Sequence, residues 1–259
     1  MAYTAKSATD PGGEGLQYHV RLKKGDVPEA VLLPGDPKRV EKIAGTWDKS
    51  EKVADYRQYM TYKGVVGKTE LACTSTGIGA PGVAIAVEEL VKVGVKTLIR
   101  VGSCGGLQPD MKLGDLVIST GAVRLEGTSK EYVRVEYPAV ADYRVVNALV
   151  EAAEKLKVRY HVGITATTDT FTVGQGRPLH NGYLPSHQLH ILDDMQKANV
   201  KNFEMEASLL FTLGNLLGVK TGAVCVVVAD RVRDKFMISD EMEQLVGKVG
   251  SEAIKIIDS

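Results

Sequence analysis

The chain has 259 residues, of which 44% are hydrophobic and 25% are charged, a balance typical of one large globular domain rather than a disordered or fibrous chain. Its 32 Lys and Arg residues equal its 32 Asp and Glu residues, which argues against a nucleic-acid partner because such proteins carry a basic excess. No apolar stretch approaches the roughly 20 residues of a membrane-spanning helix, so no membrane partner is predicted. The three cysteines, Cys73, Cys104 and Cys225, lack the spacing of metal ligands, which predicts a reduced, cytoplasmic protein.

Short apolar or β-branched segments alternate along the chain with longer segments of helical periodicity. The segments predicted as strands are 30–33, 70–74, 97–101, 115–119, 162–166 and 222–228. The segments predicted as helices are 81–93, 141–156, 206–217 and a C-terminal helix with Met242, Leu245, Val249 and Ile256 along one stripe. This alternation predicts an α/β fold with a mostly parallel, mixed central sheet that is flanked by helices on both sides.

A single domain is predicted over residues 17–259, preceded by a flexible, glycine-rich tail over residues 1–16. The segment 168–186 gathers Gly, Pro, His and Asn and is long for a plain connection, so we predict a functional loop there. In α/β sheets the ligand lies at the carboxyl ends of the strands, which is therefore where a site is expected.

The sequence Gly-Ile-Gly-Ala-Pro-Gly at 77–82 matches a dinucleotide-binding pattern, in which glycines let the backbone approach a pyrophosphate. The next predicted strand, however, carries Arg100 near its end and no acidic residue for a ribose hydroxyl. Pro81 also removes one backbone donor from the turn. We therefore favour a tight strand-to-helix turn beside another ligand over a nicotinamide site.

Two predicted strand ends combine a glycine-containing turn with an arginine, a combination that suits phosphate. The first contains Gly35 and Arg39, and the second contains Arg100 and Ser103. Arg100 interrupts an apolar strand, and a charge buried there is costly unless it meets an anion or a carboxylate. A phosphate site and an arginine paired with a structural Asp or Glu both satisfy this requirement.

Two further groups of polar residues could contact a ligand. Glu204 and Glu206 flank Met205 before a predicted helix, and their carboxylates are either solvated or accept hydrogen bonds from vicinal hydroxyls. In the long loop, Gln175 and Arg177 offer an acceptor and several donors, which would complement a planar amide edge. Phe171 could stack against such a ring, although a Gln and an Arg in a glycine-rich loop can also be merely solvated.

Taken together, these motifs resemble the nucleoside phosphorylase superfamily of hexameric type over nearly the whole chain, from about residue 15. The segments that carry the resemblance are Leu-Pro-Gly-Asp-Pro-Lys-Arg at 33–39, Ser-Thr-Gly-Ile-Gly at 75–79, Ile-Arg-Val-Gly-Ser-Cys-Gly-Gly at 99–106, Glu-Gly-Thr-Ser-Lys-Glu-Tyr at 126–132, Pro-Ala-Val-Ala-Asp at 138–142 and Phe-Glu-Met-Glu at 203–206. The pattern Phe-x-x-Gly-Gln-x-Arg at 171–177 is similar to the uridine-cleaving branch of that family.

The resemblance implies which residues bind each part of the substrates. The residues implied for phosphate are Gly35, Arg39, Arg100 and Ser103, together with Arg57, which would reach the site of a neighbouring subunit. Those implied for ribose are Met205, Glu206 and His19, the last again reaching a neighbouring subunit's site. Those implied for the base are Phe171, Gln175 and Arg177, with Arg231 on a nearby loop. Catalytic roles would fall to Arg100, Glu206, Arg231 and Asp230.

The same resemblance implies a homo-hexamer, a trimer of dimers with sites shared between subunits. The implied activity is reversible phosphorolysis of a nucleoside, with inorganic phosphate as co-substrate and no cofactor. Gln58 stands where some relatives have a Glu that helps to bind a monovalent cation, which leaves such an ion undecided.

Asp230 departs from the pattern of the uridine-cleaving branch, which tends to have a neutral residue before the arginine. In purine-cleaving relatives an Asp at this point donates a proton toward N7 of the base, and this chain carries both Asp230 and Arg231. Cleavage of purine nucleosides, alone or beside uridine, is therefore an alternative.

Three other functions compete with phosphorolysis. A hydrolytic nucleosidase would not need the cluster of arginines, and a non-catalytic nucleoside-binding module would not need phosphate ligands beside a ribose site. His187, His190 and Asp194 have the spacing of one helix face and could bind a metal, but a polar helix face explains them too, and we predict no metal site.

Overall fold

The computed structural model describes residues 7–9 and 11–258 of the chain. The flexible tail predicted over residues 1–16 falls partly outside these residues, so the tail and the domain boundary at residue 17 stay predictions. None of the described helices has both the length and the apolar character needed to cross a membrane.

Strands and helices alternate through most of the described chain. The strands are β1 (Ala30–Leu33), β2 (Lys49–Tyr56), β3 (Tyr59–Val66), β4 (Thr69–Thr74), β5 (Thr97–Gly106), β6 (Leu116–Arg124), β7 (Ala139–Val140), β8 (Tyr160–Thr167), β9 (Asn202–Glu204), β10 (Lys220–Asp230) and β11 (Lys235–Phe236). The helices are α1 (Pro37–Ala44), α2 (Ala80–Lys92), α3 (Thr128–Tyr132), α4 (Tyr143–Lys155), α5 (Ile191–Lys197), α6 (Ala207–Leu217) and α7 (Asp240–Asp258).

The central sheet is mixed, and part of it closes on itself. Strand β10 pairs in parallel with β5 and antiparallel with β6, which in turn pairs in parallel with β8. Strand β9 completes a ring of five strands by pairing with β8 and with the last two residues of β5. The first residues of β5 instead pair with β1, from which β4, β3 and β2 extend as an open sheet.

Register shifts explain how the ring can close. They occur between Val227 and Ala229 of β10 and between Ser119 and Gly121 of β6, and such bulges bend a strand. The predicted α/β fold with a mixed sheet and helices on both sides is confirmed, whereas the closed ring is an additional feature that the sequence pattern did not predict.

Helices cover both faces of the sheet. Leu32 of β1 joins a core that is covered by α1, α4 and α7, whereas its neighbours Val31 and Leu33 join a second core under α2 and α6. Because both faces of the parallel strands are buried, segments such as 30–33 are continuously apolar instead of alternating.

The glycine motif at 77–82 forms the turn between β4 and α2. Gly77 and Gly79 have φ angles of 74° and 95°, which a side chain would strain. The N–H of Gly79 donates to Oε1 of Glu206 at 2.6 Å. A carboxylate of the chain itself thus accepts from the helix N-terminus where a pyrophosphate would lie, which agrees with the expected tight strand-to-helix turn.

Candidate active site

The predicted site residues converge on a cavity of about 240 Å³ at the carboxyl ends of β1, β5, β9 and β10. The predicted residues that line it are Gly35, Arg39, Arg100, Ser103, Phe171, Gln175, Arg177, Met205 and Glu206. A larger groove of about 970 Å³ lies at the opposite ends of the strands, around Ala30, Thr97 and Lys220, and contains none of these residues. The smaller cavity is therefore the candidate site, where the topology of α/β sheets also predicts it.

Arg100 is the central cation of this cavity and is only 5% exposed. Its Nε donates to Oε2 of Glu204 at 2.8 Å, and its Nη2 lies 2.5 Å from Oε2 of Glu206. Burial alone would lower the pKa of Arg100, but the two carboxylates, Glu206 first, raise it above its usual value. Neither contact uses Nη1 of Arg100. The guanidinium is therefore paired with two carboxylates of the chain and still has Nη1 to donate to a further anion.

The two glutamates beside Met205 have different surroundings. Glu204 accepts hydrogen bonds from the N–H groups of Glu206 and Ala207, at 2.8 and 2.9 Å, and from the hydroxyl of Thr167, so it caps the start of α6. Glu206 contacts Gly79 and Arg100, and burial raises its pKa even though Arg100 opposes the shift. Both carboxylates border the cavity, and Glu206 has fewer bonds within the protein to hinder contact with a ligand hydroxyl.

Arg39 forms a second buried cation of the cavity, at 6% exposure. It lies in α1, whose N-terminus is capped by Asp36 directly after Gly35. Oε1 of Glu243 accepts from Nε and Nη2 of Arg39 at 3.1 and 2.7 Å. The turn at Gly35 is fixed because its carbonyl accepts from the N–H of Gly77 at 2.9 Å.

The long loop contributes a third group of residues to the cavity. Gln175 is buried there, and its Oε1 accepts from Nη1 of Arg177 at 2.7 Å while its Nε2 donates to Thr168 at 3.2 Å. The guanidinium of Arg177 lies 4.2 Å from the ring centre of Phe171, a residue that is 58% exposed. The amide, the guanidinium and the aromatic ring that the sequence analysis singled out thus lie together at the cavity.

Arg231 is not among the lining residues, but it contacts two of them. It packs against Gly105, and its Nη2 donates to the backbone carbonyl of Gln175 at 3.0 Å. Its Nη1 is buried and forms no hydrogen bond within the described chain, so it is a donor without an acceptor. Burial and the charge of Arg231 lower the pKa of Arg177 to about 10, which still leaves both side chains cationic at neutral pH.

Asp230 is not among the residues that line the cavity. Its Oδ1 accepts from the N–H groups of Val232 and Arg233 at 3.0 and 2.9 Å, and its Oδ2 accepts from Nη1 of Arg233 at 2.8 Å. Although burial alone would raise the pKa of Asp230, the bonds from Arg233 and Val232 lower it overall. The carboxylate is therefore an ionised anchor of the turn after β10.

His19 and Arg57 also lie apart from the cavity. The guanidinium of Arg57 is exposed at the tip of the β2–β3 hairpin, 5.5 Å from the ring of Tyr56 and 5.7 Å from that of Tyr18. Nδ1 of His19 lies 2.7 Å from Oε1 of Glu89, which also accepts the backbone N–H of His19. Both residues belong to one aromatic and basic patch on the surface of this chain.

Several residues of the site carry no motif that would have identified them. Glu243 follows Arg39 by 204 positions, and Glu89, which holds His19, follows it by 70. Phe236 borders the cavity although it is 66% exposed. The run of three apolar residues over 236–238 is a signal that could have drawn attention to it.

The described residues contain no cluster of three His, Cys, Asp or Glu side chains that could hold a metal ion. His187, His190 and Asp194 are exposed, as a polar surface would explain.

The cavity of this α/β protein combines buried guanidiniums, buried carboxylates and an amide edge, a set of groups that is chemically suited to an anion next to a planar ligand that carries hydroxyls. The family model described as "Phosphorylase superfamily" matches residues 29–259. The chain therefore belongs to the phosphorylase superfamily, and the resemblance seen in its motifs is confirmed.

Similar proteins include two named uridine phosphorylase. The one from Thermococcus kodakarensis is 55% identical over 244 residues, which cover 94% of this chain and 87% of the relative. The one from Treponema pallidum is 42% identical over an alignment that covers 93% of this chain and 94% of the relative. A protein named guanosine phosphorylase, from Halorubrum lacusprofundi, is 43% identical over an alignment that covers 90% of this chain and 91% of the relative.

Proposed function

We propose that this protein is a uridine phosphorylase, an enzyme that cleaves uridine reversibly with inorganic phosphate to give uracil and ribose 1-phosphate. Phosphate is a co-substrate in this proposal, and no cofactor takes part. The similarity to proteins named uridine phosphorylase over nearly the full length of the chain supports the reaction class.

The observation that carries the proposal is that three chemically different groups of side chains line one cavity. Two guanidiniums, of Arg39 and Arg100, border the same space as Met205 and Glu206 and as Gln175 and Arg177. A nucleoside with a phosphate beside its sugar combines the three matching chemistries, an anion, hydroxyls and a planar amide. We assign phosphate to Gly35, Arg39, Arg100 and Ser103, ribose to Met205 and Glu206, and the base to Phe171, Gln175, Arg177 and Arg231.

The chemistry follows from where charge develops. Breaking the bond between C1′ and the base nitrogen leaves positive charge on the sugar, as in glycoside cleavage. Phosphate held by Arg39 and Arg100 faces C1′, so its negative charge stabilises the sugar cation mainly in the transition state. Glu206 would accept hydrogen bonds from the ribose hydroxyls and orient the sugar for this attack. The phosphate oxygen bonds to C1′ while the bonding pair of electrons leaves with the base.

The leaving uracil carries negative charge that spreads over its two carbonyl oxygens. Donors from Gln175 and Arg177 can stabilise that charge, and the unpaired Nη1 of Arg231 is a further buried donor nearby. Because these groups stabilise the anion directly, uracil can leave without a general acid.

Phosphate dependence is the decisive test of this function. We expect release of uracil and formation of ribose 1-phosphate only when phosphate is added to the enzyme and uridine. Cleavage at an equal rate without phosphate would indicate a hydrolytic nucleosidase, and binding of uridine without cleavage would indicate a non-catalytic module. Either result would refute the proposal.

The guanosine phosphorylase relative and Asp230 together favour one second candidate, the cleavage of purine nucleosides. A purine needs protonation at N7 as it leaves, and a carboxyl group can supply that proton only if its pKa is raised. Contacts with Arg233 lower the pKa of Asp230 instead, and the carboxylate faces the turn. These observations support uridine over purines as the preferred substrate.

We therefore predict that Asp230→Asn changes uridine and inosine cleavage by the same factor. The variant loses the ion pair with Arg233 and loosens the turn that carries Arg231, so base binding weakens for any base. Steady-state kinetics on both nucleosides measure the two factors. A loss on inosine ten times larger than that on uridine would show that Asp230 acts as the acid for a purine.

His19 and Arg57 support a shared active site. They are exposed or half-buried on a patch apart from this chain's cavity, and a guanidinium and an imidazole would suit the phosphate and the ribose of another copy. We propose a homo-hexamer, a trimer of dimers, in which His19 and Arg57 complete a neighbouring subunit's site. The three free, buried cysteines suit a reducing compartment, and we place the enzyme in the cytoplasm.

Mixed oligomers test the sharing of sites. Arg57→Ala and Arg100→Lys subunits should each have little activity alone, but co-expression should restore part of the activity, because some sites then contain an intact Arg100 and an intact Arg57 from different subunits. The measurement is uridine phosphorolysis by the purified mixed oligomer. Activity that stays at the level of the separate variants would contradict sharing, as would an active monomer in size-exclusion chromatography.

A further inference from the structure

The two buried arginines of the cavity are held in the same way, although their partners come from different parts of the chain. Arg100 presents Nε and Nη2 to the carboxylates of Glu204 and Glu206. Arg39 presents the same two nitrogens to Oε1 of Glu243, at 3.1 and 2.7 Å. In each case one edge of the planar guanidinium is fixed by an internal carboxylate, which sets the direction of the rest of the group.

Glu243 is unusual for a glutamate because it is buried, at 5% exposure, in the first turn of α7. Besides Arg39 it binds Lys42, whose Nζ lies 2.5 Å from Oε2 and 2.7 Å from Oδ1 of Asp240. Burial alone would raise the pKa of Glu243, but Lys42 and Arg39 lower it, so the carboxylate is charged at neutral pH.

Lys42 gives Glu243 a second cationic partner. Its ammonium pairs with Oε2 of Glu243 and with Asp240, whose side chain is 70% exposed, while Oε1 of Glu243 faces Arg39. The Glu243 carboxylate is therefore shared between Lys42 and Arg39, and Arg39 borders the cavity. Without Lys42, Glu243 would neutralise Arg39 and weaken its attraction for an anion.

We propose that Glu243 is a positioning residue for phosphate binding, which holds the guanidinium of Arg39 toward the anion, and that Lys42 offsets its charge. The proposal rests on the proposed function, since it concerns the phosphate of that reaction.

The test is Glu243→Gln, compared with Glu252→Gln as a matched control. Glu252 lies on the same helix and also binds two lysines, Lys155 at 2.5 Å and Lys255 at 2.7 Å, but it does not line the cavity. We expect Glu243→Gln to raise the KM for phosphate about tenfold, since one neutral amide oxygen cannot accept from both Arg39 and Lys42, and to change the KM for uridine less than twofold. Glu252→Gln should leave both KM values unchanged.

Binding of phosphate alone gives a second measurement. Millimolar inorganic phosphate should raise the Tm of the wild type and of Glu252→Gln, and should raise that of Glu243→Gln much less. If Glu243→Gln does not fold, Lys42→Met keeps the hypothesis testable, because it should also raise the KM for phosphate selectively.

The outcomes separate this inference from the function on which it rests. An unchanged KM for phosphate in Glu243→Gln and Lys42→Met, or equal increases in both KM values, would overturn the positioning role. A wild-type enzyme that cleaves uridine without phosphate would instead overturn the proposed function.

Discussion

Replacing Arg100 with lysine is expected to lower kcat/KM for uridine phosphorolysis by about 100- to 1000-fold, the loss typical for one transition-state donor. Lysine keeps a positive charge between Glu204 and Glu206, so neither carboxylate is left without a counter-charge. A single ammonium cannot bind both carboxylates and an anion with the fixed geometry of a guanidinium. The variant should therefore fold and bind phosphate poorly, which steady-state kinetics at increasing phosphate concentrations would measure.

Arg100→Ala should behave differently, because it removes the only cation that contacts Glu204 and Glu206 among the ion pairs of the described chain. Breaking a buried pair in this way costs about 3–5 kcal/mol of stability. We expect the alanine variant to lose activity together with a large drop in Tm, whereas the lysine variant separates the two effects.

Arg124→Lys is a suitable control for the lysine variant. Arg124 is also buried, at 7% exposure, but it binds Ser129 and backbone carbonyls outside the cavity. The Arg124→Lys variant should be less stable than the wild type but should have the same KM for phosphate. Wild-type turnover of Arg100→Lys at low phosphate would show that Arg100 is a structural partner of the glutamates and does not bind the co-substrate.

The fold was predictable where sequence pattern and burial coincide. The first strand was predicted at its observed bounds, Ala30–Leu33, and the helix predicted over 206–217 is α6, Ala207–Leu217. The β2–β3 hairpin was missed because β2 is largely exposed and polar, with little of the apolar pattern that marks a strand. Helix α1 was missed because its eight residues follow a turn rich in Pro, Gly and Asp.

The candidate site was predictable in its residues but not in their internal partners. Short motifs identified Gly35, Arg100 and Gln175, since each contains an unusual residue at the end of an apolar segment or in a loop. Nothing local marks Glu243 as the partner of Arg39, because the ion pair joins positions 204 residues apart. Closure of the strands into a ring likewise depends on pairings such as β9 with β5 that no local pattern specifies.

Removing the groups at the base end should produce a loss that depends on the leaving group. We expect the double variant Gln175→Ala, Arg177→Ala to raise the KM for uridine and to lower its kcat on the order of 1000-fold, because two coupled donors to the developing uracil anion are lost. With 5-fluorouridine, the loss in kcat caused by the same double substitution should be on the order of tenfold smaller. The anion of 5-fluorouracil is less basic than that of uracil and therefore needs less stabilisation by the protein. Parallel kinetics on the two nucleosides measure this difference.

The dependence on the leaving group distinguishes charge stabilisation from simple positioning. If Gln175 and Arg177 only oriented the ring, the variant would lose the same factor with both nucleosides, because their shapes are nearly identical. The KM for phosphate serves as an internal control and should stay within about twofold of the wild type, since Arg39 and Arg100 keep their own carboxylate partners. Unchanged uridine kinetics would instead mean that the cavity binds the base elsewhere, and Arg231 with its unpaired Nη1 would become the group to test.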